Sequence, residues 1–336
     1  MSPTEHTVAP DDNDIRLDRW FKRHYPGFPH SMLEKHLRKG SIRVDGKKAK
    51  TSDRILAGQI VRCPDLTLKE CDDMPKPKRK VSEEEFEEIR KWVLYKDANL
   101  IVINKPYGLA VQGGSKITRN LDEMLDGLTF DAGQRPKLTH RLDRDTSGAL
   151  VLARSTKAAT ALMKLFSSRK IEKTYWALVN GSPLPMNGTI DLPILKKENP
   201  KMSGHPGGPE GRDYEVMQID QEEGQKAITE YRTLDFLARK FALMELNPLT
   251  GRTHQLRVHM QAIGCPIVGD HKYGGGMGMF GNSDAGSVGV ENILHLHARR
   301  IVIPAIAGGK AVDVKAPLPE HMVNSFRALG LDVPKK

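Results

Sequence analysis

Cysteine is nearly absent. The 336 residues hold three, Cys63, Cys71 and Cys265, and their spacing forms no pair. That excludes a disulfide-framed secreted scaffold and a cysteine-based zinc ribbon, and points to reduced thiols in a cytosol-like compartment. Long apolar runs are missing too. No stretch of 18 apolar residues occurs, so no segment reads as a membrane-spanning helix. The opening MSPTEHTVAPDDND is polar and acidic, unlike a secretory signal or an Arg-rich transit peptide. No P-loop is present, and the run beginning at Gly274 (GGGMG) follows no strand and opens no helix, so it is not a dinucleotide fingerprint.

What the chain does have is charge, unevenly placed. Hydrophobic residues make up 38% and charged residues 28%, a globular composition, and the length suggests about two domains. Lys and Arg exceed Asp and Glu by 10 overall. From Asp14 to Lys80 there are 18 Lys/Arg against 9 Asp/Glu, so one short segment is strongly basic, with acidic residues flanking it on both sides. The stretch MPKPKRK (Met74 to Lys80) combines two prolines with four cations and reads as a linker, and an acidic run from Val81 to Lys91 follows it. The expected division is a disordered tail over 1–13, a basic domain over 14–73, a linker over 74–92 and a second domain over 93–330. A basic patch confined to one small domain is the footprint of a polyanion partner rather than of a merely solvated surface.

Within the basic domain, Leu17, Trp20 and Phe21 recur at helical spacing, ended by Pro26, Gly27 and Pro29. Ser31 to Arg38 is a second short helix, with Gly40 as its stop. Strand-like Ser41 to Val44, the turn pair Asp45-Gly46 and a further strand at Gly58 to Arg62 follow. This frame carries Arg16, Arg19, Lys22, Arg23, Lys35, Arg38, Lys39, Arg43 and Lys47, a set that can track a phosphate backbone. The segments RLDRW, LEKHLRKGSIRVDGK and GQIV, within Asp14 to Pro64, resemble the S-four RNA-binding domain, which implies structured RNA as partner.

The second domain holds the polar motifs. Leu100 to Asn104 is a buried-type strand that runs into Lys105-Pro106-Tyr107-Gly108. In HRLDRD, from His140 to Asp145, five of six residues are charged or histidine, directly ahead of a core strand over Ala149 to Ala153. Asp143, lying between Arg141 and Arg144, is expected to stay ionised, which suits a nucleophile or charge stabiliser and not a general acid. Thr146, Ser147 and Gly148 form a turn able to hold a carboxylate. Ser155 to Ser168 reads as a helix with Ala159, Leu162, Met163 and Phe166 inward. Tyr175 lies in a strand. A helix opens near Thr250 or Thr253 and stops at Gly264, with His254, Arg257 and Gln261 on one face, Leu256, Met260 and Ile263 on another, and Arg252 at its mouth. His254 and His259 are five apart and point to different faces, so no metal site is expected there.

Four segments in order look like the RluA/RluC/RluD family of RNA pseudouridine synthases: NKPYG from Asn104, HRLDRDTSG from His140, KTY from Lys173 and GRTHQLRVH from Gly251. With the preceding domain, the nearest type is RluC/RluD. The resemblance implies an α+β fold whose catalytic domain has a mixed, mainly antiparallel sheet flanked by helices, and no cofactor or metal. It implies Asp143 as the catalytic aspartate, Arg141 as the arginine that helps displace the target base, Tyr175 as the tyrosine packing on it, and Arg257 as the aspartate's ion-pair partner. Lys105, Arg252 and His254, with Arg16, Arg19, Lys35, Arg38, Lys39 and Arg43, are the expected RNA contacts. Large-subunit ribosomal RNA is the expected partner, for a cytoplasmic, membrane-free monomer. Two rival readings are a non-catalytic ribosome-assembly factor, and a glycosidase using Asp143 and Asp145 as a carboxylate pair.

Overall fold

A computed structural model describes residues 4–64, 79–113, 117–199, 214–274, 289–306 and 308–332. Cys71, most of the MPKPKRK stretch, the segment 200–213 and nearly all of the glycine-rich run lie outside these residues. The chain divides into two compact units, 1–80 and 81–336.

The first unit contains β1 (Thr4–Thr7), β2 (Ile15–Arg16), α1 (Leu17–His24), α2 (His30–Lys39), β3 (Arg43–Val44), β4 (Lys47–Lys48), β5 (Arg54–Ile55) and β6 (Ile60–Cys63). Leu17, Trp20 and Phe21 of α1 and Leu33 and Leu37 of α2 pack with Ile42, Ile55 and Val61 in one small core. Gly40 takes φ +73° to end α2. Asp45 and Gly46 both take positive φ and close the β3–β4 hairpin, the geometry that favours Asp-Gly. Residues 4–13 differ from the expected tail. Thr4–Thr7 pairs antiparallel with β6, and Val8 is buried in the core. Asp12 is buried and held by Arg23 and by His24 at 2.6 Å. The open edge of β6 recruits this segment, because an unpaired edge leaves its backbone groups without partners. Arg16, Arg19, Lys35, Arg38, Lys39 and Arg43 are all exposed. Arg16 is forked onto Asp18, and Arg43 donates to the Gly40 and Gly46 carbonyls.

In the second unit α3 (Glu83–Lys91) begins with a capping box between Ser82 and Glu85. Its Ile89 is fully buried, so the acidic run is an anchored helix and not part of a linker. Then come β7 (Val93–Lys96), β8 (Leu100–Lys105), α4 (Leu121–Met124), β9 (Lys137–Leu138), β10 (Ser147–Ala153), α5 (Thr156–Ser167), β11 (Glu172–Asn180), β12 (Asn187–Asp191), β13 (Ile194–Asn199) and β14 (Tyr214–Ile219). They are followed by β15 (Ile228–Leu237), β16 (Phe241–Pro248), α6 (Gln255–Ala262), β17 (Leu296–Ile303), β18 (Val312–Lys315) and α7 (Glu320–Ala328). Strands β13 and β14 form a separate hairpin. The remaining ten form a sheet in the order β12-β15-β16-β11-β17-β10-β8-β7, with β18 on β17 and β9 on β10. All its pairings are antiparallel except β10 with β17, which meet in parallel over Ser147 and Gly148 alone.

Both faces of the sheet are covered, which is why β8 and β10 read as unbroken apolar runs. On one face Leu100, Val102, Ala149 and Val151 pack under Ala158, Ala159 and Leu162 of α5. On the other, Ile101, Ile103, Leu150 and Leu152 pack with Ile89 of α3 and with Leu121 and Met124 of α4. Further along, Ala177, Met244 and Leu246 carry Leu256 and Met260 of α6, and Leu178 and Leu243 carry Met322 and Phe326 of α7. Met163, expected inside, is half exposed. The α+β fold with a mixed, mainly antiparallel sheet is as expected.

Candidate active site

Asp143 sits on the turn between β9 and β10. That turn is anchored from below. Leu142 is buried in the core, and the Thr146 amide closes the turn on the Asp143 carbonyl at 3.1 Å. His140 accepts the Val151 N–H at 2.9 Å and lies on the Phe166 ring at 4.5 Å. Burial pushes its pKa down to about 3, so the ring is neutral. The Ser147 hydroxyl is bonded to His297 at 2.9 Å, so it props the strand and does not hold the carboxylate.

Lys105 corrects an expectation. It is fully buried, and its ammonium donates to the carbonyls of Pro106 (2.8 Å), Leu109 (2.8 Å) and Arg144 (3.0 Å). Burial lowers its pKa to about 7, offset in part by the charges of Asp145 and Asp143. It cannot touch RNA from there; it ties the Asn-Lys-Pro turn to the Asp143 turn. The arginines flanking Asp143 in sequence also behave differently from expectation. Arg144 pairs with Asp145 at 3.0 Å, and Arg141 is exposed.

The cations that face Asp143 come from α6 instead. Arg257 Nη1 stands 3.8 Å from Asp143 Oδ2, and His254 Nε2 stands 3.7 Å from the same oxygen. Arg257 is not primarily the aspartate's partner. Its Nε and Nη2 donate in a fork to Asp270, both at 2.8 Å. Asp270 is 1% exposed and also accepts the amides of Lys272 and Tyr273. Burial alone would raise the Asp270 carboxyl; Arg257 together with the Tyr273 and Lys272 amides outweighs it and holds the pKa below the usual carboxylate value. The Arg257 guanidinium also lies 5.0 Å from the Tyr273 ring centre.

The start of α6 is built without a threonine cap. His254 occupies the cap position with φ +52° and makes no side-chain cap bond. Thr250 instead accepts the Ile228 amide and bonds Gln255, whose amide group reaches the Ile228 carbonyl and Thr229. The His254 Nδ1 lies 2.6 Å from the Tyr273 hydroxyl. Burial pushes the His254 pKa down to about 4, with Asp143 opposing it and Arg257 reinforcing it. His259 faces away, between Thr229 and the Leu192 carbonyl.

Tyr175 enters from β11, paired with Leu246 on one side and Ala298 on the other, where a bulge shifts the register. Burial, and then the Asp143 charge, raise its pKa, so the phenol is protonated at neutral pH. Arg141, Asp143, Tyr175, Arg252, His254 and Arg257 all line one open cleft of about 1050 Å³. The six basic residues of the first unit belong to a different body. Among the described residues no group of three or more His, Cys, Asp or Glu could hold a metal ion. Sequence reasoning missed Asp270 and Tyr273. Only the turn-rich GDHKYG segment hinted that something there was held in place.

A carboxylate lining an open cleft with an arginine, a neutral histidine and a protonated tyrosine makes this cleft the candidate active site. Comparison with known proteins makes the class specific. The profile of the RNA pseudouridylate synthase family matches residues 99–262. The ribosomal large subunit pseudouridine synthase C of Rickettsia felis is 35% identical over 319 residues, 93% of this chain and 95% of that protein. The mitochondrial RNA pseudouridine synthase 4 of Arabidopsis thaliana is 34% identical over 95% of this chain and 80% of its own. The solved structure of human RNA pseudouridylate synthase domain containing 4 superposes with a TM-score of 0.60 at 34% identity, covering 74% of this chain and 97% of that one. The chain belongs to the RNA pseudouridylate synthase family. It is a pseudouridine synthase.

Proposed function

We propose that this enzyme isomerises specific uridines in large-subunit ribosomal RNA, with Asp143 as the reacting carboxylate. The supporting observation is the convergence of Asp143, Tyr175 and Arg257 on one cleft from three separate elements. The substrate class follows the Rickettsia relative, a synthase named for the ribosomal large subunit and similar over nearly the full length of both chains. The exposed cations of α1 and α2, among them Arg19, Lys35, Arg38 and Lys39, suit a unit that tracks an RNA backbone. No helix among the described residues is long and apolar enough to cross a membrane; the cytoplasm is the expected site of action.

The reaction breaks the bond from ribose C1′ to N1, turns the base, and joins C1′ to C5. N1 gains a proton and C5 loses one. The target uridine has to leave its stack, at a cost of a few kcal/mol. Arg141 at the cleft mouth can fill the vacated space, and the Tyr175 ring can stack on the extruded base. Asp143 then attacks C1′, or removes the 2′ proton to give a glycal. Arg257 and His254 both face Oδ2, which leaves Oδ1 for the sugar. In the nucleophilic route the ester to C1′ removes the Asp143 charge. When C5 attacks C1′ the ester breaks and the Asp143 carboxylate is charged again before C5 loses its proton, so the regenerated carboxylate is available as the base for that last step.

The glycosidase rival is disfavoured, because Asp145 is tied to Arg144 and Asp143 is faced by α6. Asp143→Asn is expected to lower pseudouridine formation by roughly 10³-fold or more while RNA affinity stays close to the parent value. Adduct-stop sequencing of total RNA from cells with the parent or the variant enzyme reads this directly. Full turnover by Asp143→Asn overturns the assignment, and release of free uracil would revive the glycosidase.

A further inference from the structure

Tyr273 touches both groups that face Asp143, yet its hydroxyl has no place in the reaction above. We propose that the Tyr273 hydroxyl fixes the tautomer of His254 so that Nε2–H is presented to Asp143 Oδ2, making Tyr273 and His254 a positioning pair for the carboxylate. The inference rests on Asp143 as the reacting carboxylate.

The directions of the hydrogen bonds follow from what each atom can do. The Met217 amide lies 3.1 Å from the Tyr273 oxygen and can only donate, so the phenol oxygen accepts. The phenol is 6% exposed, and burial raises its pKa to about 12, so its proton stays on. That proton needs an acceptor, since a buried donor without one is costly. His254 Nδ1, at 2.6 Å, supplies it. His254 itself is neutral, its pKa lowered to about 4 by burial. A neutral ring that accepts at Nδ1 carries its hydrogen at Nε2, the nitrogen 3.7 Å from Asp143 Oδ2. The opposite tautomer would place two donors, Nδ1–H and the Met217 amide, on the phenol oxygen and leave the phenol proton with no acceptor. It would also turn a lone pair toward a carboxylate. The ring is aimed by its backbone: His254 holds φ +52° at the mouth of α6, a left-handed conformation that residues other than glycine seldom adopt. Fixed donors aimed at one carboxylate oxygen select which oxygen meets the sugar.

The test is a cycle of variants measured as single turnover with saturating ribosomal RNA. Tyr273→Phe keeps the ring under Arg257 and removes only the hydroxyl. It is expected to slow the reaction by about tenfold or more, with RNA affinity little changed. His254→Gln keeps an N–H donor at the far end but has no tautomer to choose. It should be slower than the parent yet faster than His254→Leu. In the His254→Gln background, Tyr273→Phe should cause no further loss. If Tyr273 only supported the fold, it would cost the same in both backgrounds, and that result overturns the proposal. A nitrogen NMR spectrum of the whole enzyme, with His254 assigned by its loss in His254→Gln, supplies a readout free of activity. The expected signature is an unprotonated Nδ1 and a protonated Nε2; the reverse tautomer, or a doubly protonated ring, is equally fatal to the idea. An active Asp143→Asn enzyme would instead remove the reading of the site and leave the tautomer result standing.

Discussion

At the scale of single residues, Arg257 stands between two carboxylates that it serves unequally. The fork onto Asp270 is short and buried, whereas the approach to Asp143 is 3.8 Å and open to the cleft. Asp270 therefore fixes the guanidinium, and Asp143 meets a charge that is already in place. Arg257→Met would strand a fully buried carboxylate and should cost about 3–5 kcal/mol of folding stability, with loss of turnover. Arg257→Lys keeps the charge but not the fork, so it should be better folded and still slow. Denaturant melts beside turnover assays check both; an Arg257→Met enzyme as stable as the parent would contradict this account. Asp143, Tyr175 and Arg257 were legible in the sequence because each sits in a specific motif. Asp270 and Tyr273 were not, because a partner 13 or more residues away is chosen by the fold. Lys105 misled for a related reason: charge in a sequence does not tell an exposed ammonium from one enclosed by three carbonyls.

At the scale of elements, the sequence showed most helices and the long strands, since apolar periodicity and glycine stops report them directly. It did not show that β1 would pair with β6, or that neither threonine would cap α6, because those depend on what lies alongside. Gly148 illustrates a constraint that only the assembled sheet imposes. It takes φ +110° where β10 meets β17, and a Cβ there would run into the Ala298 backbone. Gly148→Ala should cost about 2 kcal/mol or more through strain and overlap, and should displace the Asp143 turn five residues upstream. A thermal melt together with a turnover assay checks it. Unchanged stability would mean that the close approach is relieved at no cost.

At the scale of the whole molecule, the net charge of +10 resolves into +6 on the short first unit (18 Lys/Arg against 12 Asp/Glu) and +4 on the much longer second one (34 against 30). The second unit holds several histidines as neutral groups, His295 and His297 fully buried and His140 and His254 half-buried. His140 sits near pKa 3, and His254, His295 and His297 near 4, each lowered first by burial. Unfolded histidine titrates near 6.5. Between about pH 6.5 and 4 the unfolded chain therefore binds protons that the folded enzyme refuses, and stability falls as pH falls through that window. At about 1.4 kcal/mol per pKa unit and group, the loss is on the order of several kcal/mol. Melting temperatures at pH 7, 6 and 5 should drop in that order, and a flat series would show that these rings are not held neutral.

The two-residue parallel contact between β10 and β17 has one more consequence. It is the narrow joint between two antiparallel plates: β7, β8 and β10 on one side, and β17, β11, β16, β15 and β12 on the other. Asp143 hangs from the first plate, while Tyr175 and Arg257 belong to the second. On the function proposed above, a uridine held by all three would lie across that joint as a splint lies across a fracture, and the substrate would supply, for the length of one turnover, the continuity that the backbone pairing leaves thin.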